Sequence, residues 1–251
     1  MALLGIGILL FFLGIPTVGI LLVRRFVPVS RLRAHNDVAG PIFATLGVIY
    51  AVLLAFVVIV SWQNFDRAQM NVVAEANNYA NIYRNSAGFD EAFRNEVKKR
   101  MDAYLRAVID DEWPRLGAGG RSPLVQELAA GFWLFFGSYE PRTEREKIFY
   151  AEAVSQMNEA GEYRRQRLVD AQTGIHPMLW AILLVGGLIT VVFTCFFGSE
   201  TLGTQLIMTS MLALLIAMSL LTILMLDHPF TGRVSIPPEA FMQVLSYISG
   251  S

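Results

Sequence analysis

The chain has almost no cysteine: Cys195 is the only one in 251 residues, so no disulfide can form within it. The thiol sits inside an apolar run, which points to a structural rather than a reactive group. Histidine is nearly as scarce. His35, His176 and His228 are far apart, and no two are spaced to hold a metal from one helix. There is no nucleophile with a neighbouring base and no phosphate-binding loop, so an enzyme is not expected, nor any cofactor. Gly186-Gly187 follows no strand and lies among apolar residues, so it is not a dinucleotide fingerprint and reads as a site of close helix packing. Charge of one sign is also missing. The net charge is −1 and no basic stripe gathers the lysines and arginines, which excludes nucleic acid as a partner.

Charge of either sign is absent from long stretches. Of the 20 basic and 21 acidic side chains, only nine lie outside residues 66–170, while 54% of the chain is hydrophobic. A soluble domain has roughly 45–50% apolar residues and spreads its charges. Spanning a bilayer takes about 20 apolar residues in a helix, and four segments are long enough: Ala2 to Val23, about Gly40 to Trp62, Met178 to Phe197, and Leu202 to Leu226. The first lacks a leading positive region and a small-residue cleavage pattern, so it is expected to remain as a span. The expected fold is all-α and polytopic, with four transmembrane helices in two hairpins that flank a soluble helical insert. The boundaries follow as a first hairpin at 1–62, an insert at 63–174, a second hairpin at 175–226 and a tail at 227–251.

Arg24, Arg25, Arg31 and Arg33 crowd the short first loop against Asp37 alone. By the positive-inside rule this loop is cytoplasmic, which places the insert and the C-terminus on the extracytoplasmic side. The insert reads as helices throughout. Val72, Ala76, Tyr79 and Tyr83 make one apolar stripe and Phe89, Phe93, Val97, Met101, Tyr104 and Val108 another, ended by Pro114 and the glycines that follow. Ser122-Pro123 starts a helix reaching about Phe136, and Thr143 to Glu146 is a capping box for a longer one running as far as Gln172.

None of the four spans carries an Asp, Glu, Lys, Arg or His at depth, which argues against proton-coupled transport. A pore between chains needs only apolar rings and hydroxyls. The pore-lining candidates are Phe43, Gly47, Tyr50 and Leu54 on the second span, with Thr204, Thr209 and Ser219 as a polar face on the fourth. In the insert, Asp110, Asp111 and Glu112 crowd three carboxylates near a helix C-terminus, where the helix dipole opposes them. Ion pairing to Arg164, Arg165 and Arg167, or solvation, would compensate them. A divalent cation is the weaker alternative, because loop glycines and ligand spacing are missing.

Three stretches together resemble a known family. His35-Asn36-Asp37, then Gly40-Pro41-Ile42-Phe43-Ala44-Thr45, Tyr50-Ala51-Val52-Leu53-Leu54-Ala55-Phe56 and Trp62, are similar to the signature of a bacterial bestrophin-like membrane family. Glu112-Trp113-Pro114 and Asp227-His228-Pro229-Phe230-Thr231-Gly232 resemble later parts of that pattern. The resemblance implies a multi-pass bacterial inner-membrane protein whose partners are the lipid bilayer, copies of itself and inorganic ions. Bestrophins are pentameric anion channels with four spans per subunit, calcium-binding acidic residues and a cytosolic soluble part, opposite in sidedness to the arginine loop's reading. The expected function is an oligomeric ion channel, anion-selective by resemblance. The alternative is a non-conducting scaffold or envelope sensor that binds a partner through its insert.

Overall fold

The computed structural model describes residues 2–232 and 234–250, all in helices and connecting turns. In chain order the helices are α1 (Ala2–Phe26), α2 (Val29–Ala34), α3 (Asn36–Asn85), α4 (Glu91–Ala107), α5 (Trp113–Leu116), α6 (Pro123–Gly137), α7 (Glu144–Asp170), α8 (Pro177–Thr194), α9 (Leu202–Leu226) and α10 (Glu239–Gly250). A five-residue π segment, Val108–Glu112, joins α4 to α5. Two compact units result: Met1–Gln63 with Ile175–Asp227, and Asn64–Gly174 with His228–Ser251.

The first unit is the membrane part. Four of its helices, α1, α3, α8 and α9, are long and apolar enough to cross a bilayer. Lipid gives helices no hydrophobic reason to associate, so packing rests on close approach and a few polar contacts. Phe12 of α1, Tyr50 and Val57 of α3, Leu183 and Val191 of α8, and Ala213, Ile216, Ala217, Leu220 and Ile223 of α9 form its core. Small residues make that approach possible. Tyr50 lies over Gly186 and Gly187, where a Cβ would come within 2.8 Å of the tyrosine ring at the first and of its hydroxyl at the second. The hydroxyl donates to the Leu183 carbonyl at 3.1 Å, a bond made where water is absent. The two hairpins are tied together chiefly by α1, which packs along α9.

The second unit is a helical bundle around a long apolar core. Its helices begin where the local chemistry says they should. The Ser122 hydroxyl accepts from the Val125 amide and opens α6 behind Pro123. Thr143 and Glu146 complete a reciprocal capping box at the start of α7, satisfying amides that have no partner inside the helix. The tail belongs to this unit and is no separate segment: α10 buries Phe241, Val244 and Ile248, and the Trp113 indole donates to the Ile236 carbonyl at 3.1 Å.

Candidate functional site

At the centre of the helical unit lies a quartet of charges taken out of water. Arg167 of α7 is fully buried. It donates to Glu75 of α3 through Nε at 2.7 Å and Nη2 at 3.1 Å, and through Nη2 to Glu112 at 2.9 Å. Arg164, one turn earlier on α7, closes the group with a 2.7 Å bond to Glu112. Two arginines against two carboxylates leave no net charge, the condition under which burial of ions is tolerable. The Arg167 guanidinium also lies over Trp113 and Phe241, 5.2 and 5.6 Å from the ring centroids. Cation–π attraction adds to the ion pairs there, since its Nη1 has no hydrogen-bond acceptor among the described residues.

Burial and the two arginines act on these groups in opposite ways. Burial works to raise Glu112, but Arg167 and Arg164 outweigh it and hold its carboxyl below the ordinary range. Glu75 faces one arginine and is enclosed on all sides, so burial pushes its carboxyl up. Arg167 stays charged, because both carboxylates reinforce its proton. Both carboxylates are turned to guanidinium groups and neither reaches the surface, so the quartet joins helices and its carboxylates are not presented to a substrate.

The three consecutive carboxylates therefore do not act together. Asp110 is exposed and Glu112 is buried in the quartet. Asp111 pairs with Arg115 at 2.7 Å and accepts the Ser122 hydroxyl, which together hold its carboxyl below the ordinary range. The π segment spreads the three around the helix. No group of three or more metal-ligating side chains comes together among the described residues, and this set does not fit a calcium ion. Arg165 also departs from the expected pairing: it points outward and pairs with Glu162, three residues before it on α7, while Arg164 and Arg167 turn inward. Glu75 was not expected in the cluster. Its only sequence signal is a carboxylate one residue before Ala76 of the apolar stripe.

In the membrane unit most of the expected pore-lining stripe on α3 is turned toward its own chain. Phe43 stacks on Phe193 at 5.7 Å between ring centroids, Tyr50 is buried, and Leu54 packs against the core of the same chain. Gly47 alone has open space beside it. The free face runs instead through Thr45, Val48, Val52, Phe56 and Ile59, all exposed. The cause is the glycine pair on α8, which draws Tyr50 inward and fixes the rotation of α3. Nor do the three hydroxyl residues of α9 make one open face. Thr209 is buried, Ser219 donates to its own helix at Leu215, and Thr204 accepts from the Thr201 hydroxyl.

Motif residues hold the ends of this unit. The Asn36 side chain and the Gly198 backbone bond reciprocally, amide to carbonyl at 2.9 Å and amide to side-chain oxygen at 3.0 Å. Arg24 donates to Gln205 at 2.7 Å and to the Ser199 carbonyl at 2.7 Å, and Arg33 pairs with Glu200 at 2.7 Å. The arginine loop is thereby fastened to the α8–α9 link. Asp227 accepts from the Ile175 amide at 2.5 Å and from the Trp180 indole at 3.1 Å, fixing the start of α8 to the end of α9.

Fold and site together define an all-α polytopic membrane protein with four spanning helices and a helical unit organised around buried charge. The chain belongs to the bestrophin-like family, whose model, described as a bestrophin-like domain, matches residues 10–241. Among solved structures, two of a bacterial bestrophin homolog from Klebsiella pneumoniae share the fold. One, carrying a tyrosine-to-alanine substitution, aligns with a TM-score of 0.75 at 12% identity over 97% of this chain and 99% of its own. Another, solved by zinc phasing, gives 0.70 at 12% identity over 98% of each chain. No curated protein matches the sequence.

Proposed function

We propose that the chain assembles with copies of itself into an ion-permeation pore, with the outward face of α3 directed at the central axis. The observation that carries this is the bareness of that helix. Only 11% of its most apolar stretch is covered by its own chain, against 33% for α9, and the open face is uncharged. An apolar ring of this kind gates by dewetting and passes ions when wetted. The family membership supports ion conduction as the role and anions as the cargo, and the first loop's arginines support a bacterial inner-membrane protein with the insert and C-terminus extracytoplasmic.

Purified protein in planar bilayers is expected to carry current, and Val52→Ala or Phe56→Ala to raise it by widening an apolar ring. Particle images should show a ring with a central axis. Bilayers silent to several ions and potentials would overturn the reading. A single stoichiometric partner captured alongside that silence would favour a scaffold or envelope sensor. For sidedness, an alkaline phosphatase fusion at the C-terminus is expected to be active, and an inactive one with full expression reverses it.

A further inference from the structure

The helical unit contains a cavity of about 150 Å³ between α3, α4, α6 and α7, and its wall is unusual in composition. Tyr79, Tyr104, Trp133, Gly161, Arg164 and Arg165 contribute to it, and no carboxylate lines it among the described residues. Trp133 and Arg165 are exposed and mark its open side, while Tyr104 is only 2% exposed and lies inside.

The Tyr104 hydroxyl is buried and has no hydrogen-bond partner of good geometry among the described residues. Tyr79 lies beside it, its ring tilted by 40° with 4.7 Å between centroids, and the Tyr79 oxygen lies near the Tyr104 hydroxyl. Leaving a buried hydroxyl unsatisfied is costly, so an occupant that accepts its hydrogen bond would be stabilised there. Arg164 supplies a second donor. Its Nε and Nη2 are taken by Glu112, which leaves Nη1 as its remaining donor. Glu112 and Glu162, the carboxylates that pair with the two arginines, are not among the wall residues. What faces inward is rich in donors, with aromatic surface around them.

We propose that this cavity is a binding site for a small monovalent anion, a halide, nitrate or short carboxylate, held by the Tyr104 hydroxyl and the Arg164 guanidinium. The volume suits it: at about 30 Å³ per water the space holds roughly five waters, or an anion of a few heavy atoms with one or two waters beside it. A large anion is excluded by size, and a polyvalent one by the carboxylates that already pair with both guanidinium groups. The inference concerns the helical unit alone and stands whether or not the assembled protein conducts.

The test is calorimetric titration of the purified full-length protein in detergent with sodium bromide, nitrate or acetate at constant ionic strength, with gluconate, too bulky for the cavity, as the balancing anion. Saturable binding is expected for at least one of the three. Tyr104→Phe removes one oxygen and keeps the ring, and should weaken binding about fivefold or more, one hydrogen bond's worth. Ala129→Leu, which fills the cavity from α6, should abolish it while the protein still melts cooperatively. Should neither variant change the affinity, or should none of the three anions bind the parent protein saturably, the cavity holds water only and the proposal is overturned.

Discussion

Arg167 and Glu75 meet by two hydrogen bonds across 92 positions of sequence, and both side chains are wholly buried. That pair joins α7 to α3, and through Glu112 and Phe241 the same guanidinium also touches the π segment and α10. Removing the arginine would strand Glu75 in the bundle interior and leave Glu112 to Arg164 alone. Arg167→Met is therefore expected to destabilise the helical unit by about 3–5 kcal/mol, measured by thermal or denaturant melting in detergent. Arg165→Ala, which breaks only the exposed pair with Glu162, should cost under about 1 kcal/mol. Equal effects from the two substitutions would contradict the geometry.

The quartet also sets a pH response. Glu112 and Asp111 are held below their ordinary values in the folded chain. A depressed carboxylate contributes stability that is present above its unfolded pKa and is lost as pH falls through the folded one. Glu75 is raised and has the opposite sign, favouring the fold at low pH and opposing it as pH rises through its folded pKa. Stability should accordingly decline below about pH 4.5 as Glu112 and Asp111 take up protons. Trp113 packs on Arg167 and reports the event by fluorescence. Asp111→Asn should make the decline shallower, and a stability flat down to about pH 3 would refute the assignment.

Close approach in the membrane unit can be tested at one contact. Gly186→Ala would place a methyl group 2.8 Å from the Tyr50 ring, which must then shift against Leu183. The melting temperature should fall, and Tyr50→Ala in the same chain should recover part of the loss by making room. Tyr50→Phe keeps the ring and deletes only the bond to Leu183, so about 0.6 kcal/mol is expected from it.

Asp227 offers a spectroscopic handle. Its carboxylate receives the Trp180 indole and the Ile175 amide. Asp227→Ala should release both, and the emission of Trp180 should shift with Trp62, Trp113 and Trp133 replaced by Phe. An unchanged spectrum would mean that α8 is positioned without this contact.

The sequence made the spans and the helix starts plain because their signals are local. Twenty apolar residues in a row declare a span, and Ser122 or Thr143 with Glu146 declares a helix start within four positions. What escaped was non-local. Glu75 is an ordinary carboxylate until α7 is laid against it, and nothing near it in sequence announces Arg167. The stripe through Phe43 and Tyr50 was correctly periodic, but periodicity does not say which side of a uniformly apolar helix its own chain will cover. Gly186-Gly187 decided that from 136 residues away. The tail helix was within reach, since Phe241, Val244 and Ile248 recur at spacings of three and four.

The π segment has a consequence for which changes in chain length this protein can accept. A π turn holds one residue more than an α-turn, so Val108–Glu112 is a place where an extra residue has been absorbed without breaking the helix. Deleting one of its residues should let the backbone relax to ordinary α geometry with the flanking turns still in register. The segment thus works as a length buffer: a single-codon deletion at the exposed Asp110 should be tolerated far better than the same deletion in the α-helical turns of α4, which would carry everything beyond it about 100° around the axis.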